Sequence, residues 1–173
     1  MKRILSFLRG TEGSSSLEFC LLFPAYMIIL LATIESGIMM IRNVMLERGV
    51  DIAVRELRLG QNVPQDEDEL KVSICNAAAF LRDCTDNLRL ELVRIDTATW
   101  DMPTASSTCI QRDELTQPVT TYTTGTDHDL MLLRACAVFT PWFPTTGLGL
   151  RMPKDPSGTY SLTAASAFVV EPA

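Results

Sequence analysis

One histidine, His128, serves the whole chain of 173 residues. That scarcity excludes His-rich metal sites and leaves little room for imidazole acid–base chemistry. Also missing are a G-x-x-x-x-G-K-[ST] phosphate loop, an H-E-x-x-H helix and a G-x-S-x-G nucleophile elbow. The triplet Asp127-His128-Asp129 sits in a turn-like TGTDHD stretch with no serine or cysteine at a matching spacing, so it reads as a turn. Basic excess is lacking too: net charge is −6 and the pI about 4.8, a poor basis for gripping phosphate backbones. Nucleic acid is therefore excluded as a partner. The expectation is a non-enzyme with no cofactor and no metal. Its length allows one modest domain plus accessories.

What the chain does have is concentrated apolar sequence. Hydrophobic residues make up 47% and the mean hydropathy is +0.16. From Phe19 to Ile34 sixteen residues, FCLLFPAYMIILLATI, run without a charge, and the apolar character persists to Ile41 before Arg42. As a helix, Leu17–Ile41 would cover roughly 37 Å. A bilayer core is about 30 Å thick, so one tilted membrane span fits. A core helix so uniformly apolar would need a larger protein around it than this chain supplies.

Charge does not orient the span. Lys2, Arg3 and Arg9 precede it, and Arg42, Arg48, Arg55 and Arg58 follow it. Cysteines do: Cys75, Cys84, Cys109 and Cys136 all lie beyond it, without zinc-type C-x-x-C pairs. Two disulfides would place the domain in an oxidising compartment such as the bacterial periplasm, with the N-terminus cytoplasmic. Reduced core cysteines are the alternative. Three connectivities are possible, and sequence-near pairing, Cys75–Cys84 with Cys109–Cys136, closes most readily. Cys20, within the span, reads as a small apolar packing residue.

Ahead of the span lies a basic leader, MKRILSFLRGTEG. The apolar run is too long for an ordinary secretory signal, and the plausible cut lies before it. Glu18 at the edge of the span is the anomaly. A carboxylate costs about 2.5–3.5 kcal/mol at a bilayer centre, less at the interface.

The run EGSSSLEFCLLFPAYMIILLATIESG resembles the TadE-like pseudopilins of the Tad (Flp) pilus assembly system, a type IV pilus-related machinery. The likeness rests on Gly13 followed by Glu18-Phe19, on Pro24 early in the span and on Glu35-Ser36-Gly37 late in it, and covers about residues 10–59. It implies a prepilin peptidase that cuts between Gly13 and Ser14, removing residues 1–13. Glu18, fifth in the mature chain, would then pair with the new terminal amine, commonly a neighbour's, each charge offsetting the other's burial. Other pilins and pseudopilins, inner-membrane pilus platform proteins and the lipid bilayer are the implied partners. The implied role is that of a minor pseudopilin in pilus biogenesis, adhesion and secretion. An uncleaved, membrane-anchored periplasmic binding or sensing module is the competing reading. Glu35 has two readings: an intramembrane functional carboxylate, or the mark of a shorter span ending near Ile34.

Beyond Arg42 the residues Leu46, Val50, Ala53 and Leu57 fall on one helical stripe, so the helix is expected to continue to Leu59 and stop at Gly60. Asp51 and Arg55 are an i,i+4 pair off that stripe. Gln61–Asp68, with Pro64, reads as a linker. Asp66 and Glu69 read as a cap for a second helix over about Glu67–Arg82. Strands are expected at Leu88–Leu92, with a phase slip at Val93 suggesting a bulge, and at Leu130–Thr140 and Tyr160–Val170. Loops fill 97–126 and 141–156, with Trp100, Trp142 and Phe143 as contact anchors or loop staples. The fold class is α+β, pilin-like: a single N-terminal transmembrane helix (14–59, span about 17–41) extends into an amphipathic half and packs on a small antiparallel sheet in a 60–173 domain.

Overall fold

The computed structural model describes residues 14–59, 64, 66–103, 109–112 and 120–172. The leader with Gly13, the stop at Gly60 and parts of the 61–68 linker and of the 97–126 loop lie outside the described residues. Helix α1 spans Ser14–Arg58, α2 Glu67–Ala77, α3 Cys84–Asn87 and α4 Gly147–Arg151; strands β1, β2 and β3 span Leu88–Ile95, Leu130–Phe139 and Tyr160–Val169. The strands form one antiparallel sheet in the order β1-β2-β3. The architecture is the expected α+β one, a long helix against a small sheet.

Helix α1 runs through Pro24, whose missing N–H leaves the Cys20 carbonyl without its usual partner. Its two halves differ in surroundings. In the second half the stripe Leu46, Val50, Ala53 and Leu57 is buried against β3 and α2. Gly49 lets α2 approach closely: a Cβ there would lie 2.9 Å from the Ile74 carbonyl oxygen. The sheet's core face is a period-two set, Leu88, Leu90 and Leu92 beside Met131, Leu133, Ala135 and Ala137, then Ala164 and Phe168. On the opposite face Glu91 and Arg134 stand directly across the ladder and bond, Nε to Oε2 at 2.9 Å.

Four local expectations need correction. Helix α2 is capped by the Asp66 carboxylate on the Glu69 amide, as its acidic start suggests, but it ends at Ala77, not Arg82. A helix through Cys75 and Cys84 would hold their Cα atoms about 13 Å apart; the chain turns back, with Asp83 left-handed, and brings them to 5.7 Å. Strand β1 has no bulge at Val93, because its ladder with β2 is unbroken from Leu88 to Ile95. The phase slip arises from Arg94, which reaches from the sheet's end to Asp129 at 3.0 Å. The Asp51–Arg55 pair does not close; an exposed pair of this kind gains too little to hold two side chains. Finally, the loop at 97–126 is not all connector: Tyr122 bridges to Leu92, whose N–H donates to the Thr121 carbonyl and whose carbonyl accepts from the Thr123 amide. That segment covers part of the β1 edge.

Candidate functional site

The start of α1 stands clear of the domain, which reaches the helix at the Ile28–Ala32 turn through Gly147. Leu17, Phe19, Leu21, Leu22, Phe23, Tyr26, Ile28 and Ile29 are exposed, with Phe19 and Phe23 rings one turn apart at 5.1 Å. So naked an apolar surface is unstable in water, and it is long enough to cross a bilayer. Cys20 is an exposed free thiol on this segment. Glu18 lies one helical turn beyond Ser14, on the same side of the helix.

At Glu35 the surroundings change. Its side chain is 1% exposed, and it is held by the peptide groups that follow β2. The Trp142 amide donates to Oε2 at 3.0 Å and to Oε1 at 3.2 Å, and the Phe143 amide donates to Oε2 at 2.9 Å. Two backbone donors facing one carboxylate satisfy it without a cation.

Seven residues on, and so on the same face of α1, Arg42 grips the same end of the sheet. Its guanidinium donates to the Tyr160 hydroxyl at 2.7 Å and lies 4.8 Å over the Phe139 ring. Burial pushes the Tyr160 hydroxyl above its usual range, against the opposing pull of Arg42. Tyr160 therefore stays a neutral phenol and can accept from the guanidinium. Glu35, Arg42 and the stripe from Leu46 to Leu57 make one continuous docking face, closed at the far end by Arg58 with Glu171 at 2.7 Å.

The cysteines beyond α1 pair as Cys75–Cys84 and Cys109–Cys136. The first ties the end of α2 to α3. The second ties the 109–112 segment to β2, on the sheet face away from α1, where Arg112 also bonds the Asn87 side chain at 2.6 Å and the Thr140 hydroxyl at 3.2 Å. Around Asp129 the TGTDHD stretch is a structural turn: its carboxylate accepts from the Thr126 amide and hydroxyl at 2.9 and 2.8 Å, and those bonds hold it below the usual carboxylate range. Among the described residues no three His, Cys, Asp or Glu side chains gather as a metal site.

Residues 13–55 fit the family model described as TadE-like protein. The N-terminal segment is TadE-like. No curated protein and no solved structure matches the chain. The TadE-like segment runs from Gly13 almost to the end of α1 and so contains Ser14, Glu18, Phe19, Pro24, Glu35 and Arg42. The sheet and both disulfides lie outside it. Within this segment the sequence marks Arg42 only as the charge that ends the apolar run, although it continues the Glu35–Leu46–Val50 face at helical spacing. The Trp142 and Phe143 amides could not have been found that way, because a backbone N–H has no residue signature. An apolar anchor helix on a TadE-like segment makes this a membrane-anchored protein in outline.

Proposed function

We propose that the chain is a minor pseudopilin of the Tad pilus machinery, trimmed by a prepilin peptidase between Gly13 and Ser14 and held in the inner membrane by the first half of α1. The observation that carries this reading is the division of α1, apolar and largely exposed before Glu35, where Gly147 touches it at Ile28 and Ala32, and docked on the domain from Glu35 onward. A detachable pilin subunit needs such a helix: one half free for lipid and then for sister helices, the other half fixed to its own domain. In this reading the span ends near Ile34, about 27 Å from Leu17, and Glu35 marks its exit. This reading takes the span as about two turns shorter than 17–41, because Met39 packs against the core. The two disulfides support a periplasmic domain and a cytoplasmic N-terminus.

Glu18 has an assembly role under this proposal. Once the bond after Gly13 is cut, the Ser14 amine lies a single turn from Glu18 of its own chain and is equally open to Glu18 of a neighbour. Either contact neutralises two charges that would each be costly in hydrocarbon. The inner-membrane platform and the other pilins are the partners that such a subunit meets. Gly13→Leu is expected to block processing, read as retention of the leader on a gel of membrane fractions; normal trimming of that variant contradicts the cut. Glu18→Ala is expected to leave the protein in the membrane but reduce surface pili, and full pilus output counts against the pairing.

A further inference from the structure

The segment that clasps Glu35 has its backbone turned inward and its apolar side chains turned outward. Beyond the two amides on Glu35, Gly147 (φ +50°) seats against α1, where a Cβ would lie 3.2 Å from that of Ala32 and 3.5 Å from the Ile28 carbonyl oxygen. Gly149 is pressed onto the Phe143 carbonyl, which leaves no room for a Cβ. Lys154 closes the fold by donating to the Gly149 carbonyl at 2.7 Å and the Pro144 carbonyl at 3.3 Å. A segment tied at so many points is a built element. Yet Trp142 is 59% exposed, Leu150 62% and Leu148 36%.

Their height along α1 explains the exposure. Ala32 and Ile28 lie about 5 and 10 Å before Glu35 along the helix axis, among the last turns of the uncharged run. The outward side chains are therefore continuous with the naked apolar surface of the anchor. We propose that residues 141–151 form a collar seated in the membrane interface, with Trp142, Leu148 and Leu150 at the boundary of headgroups and acyl chains in the leaflet from which α1 emerges. Tryptophan is favoured at that boundary, and the 5–10 Å depth is that of interfacial helices. Arg151, just beyond Leu150, falls at headgroup level. The collar sets the height of the domain above the bilayer, and Glu35 is the bond that holds collar to anchor. The inference rests on the anchor lying in a bilayer and is independent of leader cleavage.

The chain's two tryptophans supply the test. Trp142 is at the collar, whereas Trp100 follows Ile95 at the opposite end of the sheet, level with Arg58 and Glu171. Full-length W100F and W142F are reconstituted into phosphatidylcholine vesicles with lipids brominated high on the acyl chain, and flotation is checked first. Trp142 emission, read in W100F, is expected to shift to the blue and to be quenched by the brominated lipid. Trp100 emission, read in W142F, is expected to be unquenched. Flotation with Trp142 no more quenched than Trp100 overturns the collar and leaves the anchor standing. Shielding of Trp142 from both bromine and aqueous iodide overturns it in favour of contact with a second copy. Failure to float overturns the anchor and the collar together.

Discussion

At Glu35 a desolvated carboxylate forms no ion pair among the described residues, and the cost of its burial is offset by two peptide N–H groups 107 and 108 positions away. Hydrogen bonds to a charged group contribute about 1.5–3 kcal/mol each, and an abandoned buried donor costs a similar amount. Glu35→Ala removes the acceptor and strands both amides, so a loss of about 3 kcal/mol is expected in chemical denaturation of the detergent-solubilised chain. Glu35→Gln keeps one acceptor oxygen and should lose less; equal stability of E35A and wild type would contradict the clasp. The glutamate itself is conspicuous in the sequence, as any carboxylate in an apolar run is. Its partners are not, because they are main-chain groups in a loop whose return to the helix depends on the whole sheet.

Among the elements, α1 and its contact with α2 are governed by a residue that shows nothing by pattern. Gly49 looks like a helix weakness, costing about 1 kcal/mol against alanine, but it is where α2 comes nearest. Gly49→Val forces the Ile74 carbonyl away and is expected to destabilise by about 1–3 kcal/mol despite a better helix residue; unchanged melting would place the two helices further apart. The stripe from Leu46 to Leu57 was legible because helical period and burial coincide there. The end of α2 was not, since nothing local distinguishes a helix stopping at Ala77 from one running to Arg82. The return of Cys84 to Cys75 decides it. In the chain-entropy account, closing these short loops contributes roughly 3 kcal/mol per disulfide. Cys75→Ser with Cys84→Ser should lower the unfolding midpoint accordingly, and no change on reduction would argue against the bond.

Over the whole molecule, acid sensitivity follows from carboxylates bonded only in the folded state. Burial tends to raise Glu67. The ammonium of Lys71, the Leu90 amide and the Thr120 hydroxyl together outweigh that and hold it below its ordinary 4.5. Asp155 is likewise depressed: burial opposes, and the Thr159 and Ser157 groups prevail. Because the unfolded chain takes up these protons first, their contribution is present above about pH 4.5 and is lost as pH falls through the folded-state values. Midpoints from denaturant titrations should be flat near neutrality and fall below that pH; stability rising on acidification would contradict the assignment. At this scale the α+β class, one apolar helix and three strands were readable from hydrophobic period. The collar was not, because its outward Trp142 and Leu150 make sense only once the height of the loop along α1 is known.

Under the pseudopilin proposal the leader is removed and the anchor then begins at Ser14. N-terminal sequencing of the protein recovered from membranes, with and without the prepilin peptidase, tests this most directly. The expected result is Ser14-Ser15-Ser16-Leu17-Glu18 when the peptidase is present and an intact leader when it is absent. A chain that begins with Met1 in both membranes would contradict the pseudopilin reading.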